Sequence, residues 1–169
     1  MRNLFAFGLI GVAGAAACGG SSGGTVTPSA QPARLTAAAV EIPANAQTAP
    51  LLVSLAGEAQ PGPALVEVAV ELPPQLTLPA DDRLQPARPL VTLDGDFVGN
   101  RFVVLCGDGE NLAAAALADG PLFRLRLQAT SPRQPGDYTV TLRNLRAATA
   151  AGDEVEAVGA ALVVPVTIR

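Results

Sequence analysis

From residue 34 onward the chain alternates apolar and polar positions with a period of two. Val66, Val68, Val70 and Leu72 alternate with Glu67, Ala69 and Glu71. Phe123, Leu125 and Leu127 alternate with Arg124, Arg126 and Gln128, and Tyr138, Val140 and Leu142 with Thr139, Thr141 and Arg143. Leu162, Val164, Val166 and Ile168 share one parity near the C-terminus. Successive side chains of a strand point to opposite faces, so each segment offers one apolar and one wetter face. Further strands are predicted at Leu35–Ile42, Leu51–Ala56, Leu90–Leu93 and Arg101–Cys106. The separators are turn-formers: Pro43-Ala44-Asn45, Gln60-Pro61-Gly62-Pro63, Asp94-Gly95-Asp96, Gly107-Asp108-Gly109 and Pro132 to Asp137. One short helix is the most the pattern allows, at Asn111–Ala118 with its four-alanine run. Pro165 interrupts the last apolar run; without an N–H to donate, it places that strand at a sheet edge or at a bulge. Half-apolar strands bury their faces only against a second sheet. The expectation is therefore an all-β, jelly-roll or immunoglobulin-like β-sandwich of eight or nine strands.

Composition sharpens this picture. Of 169 residues, 49% are hydrophobic but only 4% aromatic, so Val, Leu and Ala must build the core. Fifteen Pro and seventeen Gly oppose a helical bundle, because both interrupt helices. There is no His, and every cation is Arg. Without His, neither a Ser-His-Asp nor a Cys-His arrangement can form, and the usual base near neutral pH is missing. The net charge of −4 gives no basic footprint for nucleic acid.

The remaining chemistry is carboxylate chemistry. Asp94, Asp96, Asp108 and Glu110 are weak Ca²⁺ candidates, since hard cations take carboxylate and carbonyl oxygens from loops. Asp-Gly is equally a way to write a tight turn, and the full twelve-residue calcium loop is absent. Cys106 ends an apolar run and reads as a small core residue. No catalytic residue and no cofactor are expected.

The N-terminus has the layout of a secretory signal: Met1-Arg2-Asn3, the apolar stretch Leu4–Val12, then small residues up to Cys18. The apolar stretch is shorter than the roughly 20 residues of a spanning helix. Ala15-Ala16-Ala17-Cys18 resembles the cleavage box of bacterial lipoproteins, with Ala15 where that family usually has Leu. The resemblance implies a signal peptide at 1–17, cleavage before Cys18, lipid attachment at Cys18, and sorting to the outer membrane because no Asp follows. An ordinary signal cut near Ala17, leaving Cys18 a plain thiol, is the other reading. Residues 18–33, beginning Gly-Gly-Ser-Ser-Gly-Gly, read as a tether, and 34–169 as the folded domain. A Cys18–Cys106 disulfide would conflict with lipidation.

The order of segments resembles the cohesin domain and the carbohydrate-binding sandwiches that share its fold. The stretches that carry this are Leu72-Pro73-Pro74-Gln75-Leu76-Thr77-Leu78, Asp119 to Leu127, Gly136 to Leu142, and Ala151-Gly152-Asp153-Glu154-Val155 before a closing apolar strand. The resemblance implies a nine-strand jelly roll. It also implies binding of a dockerin-like or other envelope protein or, as in the sugar-binding relatives, of a polysaccharide. Those relatives stack sugars on exposed aromatic rows. Here Phe123 and Tyr138 have core parity, which leaves only Phe97 and Phe102. The leading expectation is a non-catalytic, lipid-anchored binding protein; a carbohydrate-binding module and a calcium-dependent adhesion module are the alternatives.

Overall fold

The computed structural model describes residues 34–57, 63–90, 92–107, 117, 119–149, 151–154 and 161–169. These form two packed β-sheets, and no helix occurs among the described residues. The first sheet is built from β1 (Arg34–Ala37), β3 (Thr48–Ala56), β9 (Gly120–Ala129) and β5 (Leu76–Thr77), with β6 (Leu84–Pro86) also paired to β9. The second runs β2 (Val40–Ile42), β11 (Leu162–Ile168), β10 (Gly136–Ala148), β4 (Leu65–Glu71), β8 (Arg101–Gly107) and β7 (Thr92–Val98). All pairs are antiparallel except β2 with β11. The all-β sandwich read from the alternation is the architecture observed.

The period-two positions form the core. Val66, Val68 and Val70 face Phe123, Leu125 and Leu127 across the sandwich, and Val164, Val166 and Ile168 complete the layer. Each is 2% exposed or less, and full burial of such a side chain is worth about 1.5–3 kcal/mol. β9 gains from a register shift opposite Val53 and Ser54: Val53 pairs with Phe123 and Ser54 with Pro121, so Leu122 is an extra residue. The bulge lets the adjacent Leu122 and Phe123 both turn inward.

Some expectations change. Leu35–Ile42 is two strands: β1 joins β3 in one sheet and β2 joins β11 in the other, so the chain crosses the sandwich at Ala38-Ala39. Asp94-Gly95-Asp96 is no separator but the middle of β7, a strand that begins at Thr92 rather than Leu90. The turn lies four residues on, at Gly99-Asn100, where Gly99 has φ +64, the sign a two-residue type II′ hairpin demands at its first central position. Gly95 is glycine for packing: a Cβ there would lie 2.7 Å from Phe102 Cζ and 2.8 Å from Leu84 Cδ2. The strands number eleven among the described residues, because the two- and three-residue β5 and β6 are too short to show a period. Pro165 is exposed and pairs with Thr139 on one side; on the other, β2 covers only Val166 to Ile168, so Pro165 sits where β11 is an edge. The expected helix at Asn111–Ala118 lies outside the described residues apart from Leu117, which is buried in the core.

Candidate binding face

The antiparallel register decides which side chains face solvent on the second sheet. Opposite the core-facing Val66, Val68 and Val70, β4 turns Leu65, Glu67, Ala69 and Glu71 outward; β8 adds Arg101, Val103 and Leu105, and β10 adds Thr139, Thr141 and Arg143. Ala69 lies between Arg143 and Val103 and is 6% exposed although it faces outward. At the end of β4 beside the β7–β8 hairpin this face carries a charge-linked patch. Glu71 accepts from Arg101 Nε at 2.9 Å through one oxygen and from Arg143 Nε at 2.8 Å through the other. Val103 and Leu105 supply apolar area beside it, and Val98 and Val163, 66% and 54% exposed, lie toward its flanks. Across the whole face carboxylates outnumber guanidinium groups.

The outer face of the first sheet differs. Arg124 and Arg126 project from β9, as their parity predicts, beside Pro50 and Leu52 of β3. Arg126 Nε donates to Thr48 Oγ1 at 3.3 Å and Arg124 to the Pro86 carbonyl at 3.3 Å, so β6 folds against the arginines. They border a shallow hollow of about 210 Å³ shared with Asp82 and Gln85.

The larger hollow, about 720 Å³, lies between Ala44–Gln47 and Gln128–Arg133 at one end of the sandwich. Thr77, Thr130 and Ser131 bring hydroxyls to it, and no carboxylate lines it. Its one charged group, Arg133, is occupied: the guanidinium donates to the carbonyls of Ile42, Pro43, Ala46 and Arg169 at 2.6–2.9 Å. Sequence reading passed over this clamp, because nothing marks one arginine in a turn-rich stretch as the partner of four distant carbonyls.

Of the calcium candidates, Asp108 and Glu110 lie outside the described residues. Asp94 and Asp96 stand two apart on the outward side of β7. Each turns an oxygen back on its own strand: Gly95 N–H donates to Asp94 Oδ1 and Phe97 N–H to Asp96 Oδ1, both at 2.8 Å. Among the described residues no group of three or more metal-capable side chains converges. Cys18 and the expected signal segment and tether fall within residues 1–33, outside the described residues.

Phe102 is no platform for a ligand: it is fully buried, because its position faces the core opposite Phe97. Phe97 is 43% exposed and meets Phe102 edge-on, with centroids 5.1 Å apart, and Arg83 lies over both rings. That gives one open ring rather than a row. Cys106 is buried as expected, and burial pushes its thiol up to about 12, against a smaller opposing pull from Arg88.

No protein-family model and no curated protein sequence matches the chain. Solved structures do. A type I cohesin from Clostridium thermocellum, solved in a cohesin–dockerin complex, superposes with a TM-score of 0.64 at 15% identity, covering 82% of this chain and 99% of that one. The sixth cohesin of Acetivibrio cellulolyticus scaffoldin B, in complex with a dockerin, gives 0.64 at 13% identity over 82% and 99%. A non-cellulosomal cohesin from the archaeon Archaeoglobus fulgidus gives 0.58 at 15% identity over 82% and 91%. The chain therefore has the fold of the cohesin jelly roll.

Proposed function

We propose that this chain is an exported, lipid-anchored, non-catalytic binding protein, and that its sandwich receives a dockerin-like or other envelope protein on the outer face of the β10–β4–β8–β7 sheet. The observation that carries this reading is that face itself. It is a continuous strand surface in which an Arg101–Glu71–Arg143 patch adjoins the apolar Val103 and Leu105. Arginine anchors beside apolar area are the composition of protein–protein contact regions. Several of the similar structures are cohesins in complex with dockerins, which supports the same class of partner. A sugar platform has less support, with a single open ring at Phe97.

Anchoring rests on Cys18 and the Gly/Ser tether that follows it. A tether is useful when its far end is fixed, and two or three acyl chains suffice to hold a small domain on a membrane. An outer-membrane address follows from the residues after Cys18.

The binding test is calorimetric titration of residues 18–169 against a panel of dockerin modules and against affinity-purified envelope candidates. Saturable binding is expected. Leu105→Glu should weaken it at least about tenfold, and Leu52→Glu, on the opposite sheet, should not. No binding to any member of the panel, or equal loss from both substitutions, would remove the reading. Anchoring is tested separately by intact mass of the membrane fraction: diacyl or triacyl mass on the wild type, none on Cys18→Ala.

A further inference from the structure

β7 is the long free edge of the molecule. It is seven residues, it ends the second sheet, and β8 is its only strand partner among the described residues. The hairpin geometry states which of its backbone groups are free. Val98 and Arg101 flank a two-residue turn and form a hydrogen-bonded pair. Alternation then gives Asp94 and Asp96 to the ladder with β8, and turns the N–H and C=O of Gly95 and Phe97 outward to the open edge. Exposed edges of this kind template pairing with another strand, and Phe97 and Val98 add exposed apolar area at the same place.

Three of those four outward groups are found occupied. Gly95 N–H donates to Asp94 Oδ1 and Phe97 N–H to Asp96 Oδ1, at 2.8 Å each, and the Gly95 carbonyl accepts from Arg83 at 3.4 Å. Arg83 also reaches Asp96, at 3.7 Å. We propose that β7 is a self-pairing edge held shut by Asp94, Asp96 and Arg83, and that the strand it is shut against is β7 of a second copy of this chain.

The occupant follows from symmetry and charge. A two-fold, antiparallel β7–β7 pair is self-complementary and would join two six-stranded sheets into one. Centred on Asp96, it sets Asp96 against itself; centred on Gly95, it sets Asp94 against Asp96. Like charges directly opposite oppose pairing. The aspartates thus act twice against a copy of their own strand, by occupying the N–H groups and by repulsion.

The experiment is light scattering behind size exclusion over a dilution series. Asp94→Ala with Asp96→Ala should associate at concentrations at least about tenfold below wild type, from the loss of two capping bonds and their charge. Asp94→Asn with Asp96→Asn keeps an acceptor oxygen at both places and should associate less than the alanine pair. Misfolding could also cause association, so the alanine pair is combined with Phe97→Pro. That change removes one outward N–H without touching the ladder to β8, and it should return the protein to monomer. An alanine pair as monomeric as wild type, an asparagine pair associating as strongly as the alanine pair, or association that survives Phe97→Pro overturns the proposal.

Discussion

Cys106 shows how far a single residue's chemistry is set by its place in a strand. It ends an apolar run in the sequence, faces inward between Val66 and Leu93 in the register, and is fully buried. Burial disfavours the thiolate, so the thiol is raised from an ordinary 9.0 to about 12. A raised pKa stabilises the fold below the unfolded value, where both states hold the proton. Above it the unfolded chain releases the proton first, so stability is lost as pH rises from about 9 toward about 12. Chemical unfolding across that range should show the decline, and Cys106→Val should make it shallower. At neutral pH a thiol reagent should label Cys106 only in denaturant; rapid labelling of the folded protein would contradict its burial. This placement was legible in advance because parity and apolar neighbours suffice for it. Gly95 was not: an Asp-Gly-Asp triplet reads as a turn, and the glycine within a strand is explained by the Phe102 ring and the Leu84 side chain packed over its bare Cα.

At the scale of elements, long alternating segments were legible and short or corner-turning ones were not. β4, β9, β10 and β11 each carry three or more core positions at one parity over most of their length, with register shifts only where β9 pairs β3 and where β10 pairs β4. β5 and β6 hold two and three residues, too few for a period; they exist because β9 offers them a ladder. The split of Leu35–Ile42 was hidden because both halves face the same core from different sheets. What joins such pieces is not periodic. Arg133, in the β9–β10 loop, binds the end of β2, the β2–β3 turn and the last residue, while Arg169 N–H donates to Ile42 O at 3.0 Å. Arg133→Leu removes a donor from all four carbonyls; those of Ile42 and Pro43 keep the N–H groups of Arg169 and Ala46, so the main loss falls on the part-buried Ala46 carbonyl and the exposed Arg169 carbonyl, and urea unfolding should show a cost of about 1–3 kcal/mol. Arg133→Lys should recover less than half of that, because one ammonium cannot reproduce the planar fork. A loss within about 0.5 kcal/mol for Arg133→Leu would mean that water replaces the clamp.

The whole molecule presents two sheet faces of unlike character, and fold stability and binding should respond to them differently. Alternation made both faces legible as surfaces, but their ranking needed the register, which brings Glu71 of β4 between Arg101 of β8 and Arg143 of β10. These three side chains are 30–51% exposed, so their ion pairs contribute about 0–1 kcal/mol each to folding. Within an interface the same groups would be desolvated, and truncating one member of a paired set there costs about 2–5 kcal/mol. The two measurements therefore separate. Arg101→Ala and Arg143→Ala should leave the thermal midpoint nearly unchanged and weaken the partner's affinity by at least about tenfold each. Glu71→Gln should behave alike, since it frees both arginines from one fixed geometry. Arg124→Ala and Arg126→Ala, on the other sheet, should leave affinity within about twofold. The reverse pattern, with affinity falling for Arg124 and Arg126 and unmoved for Arg101 and Arg143, would transfer the binding face to the β3–β9 sheet. The sandwich itself would stand unaltered, because neither set of arginines contributes to its core.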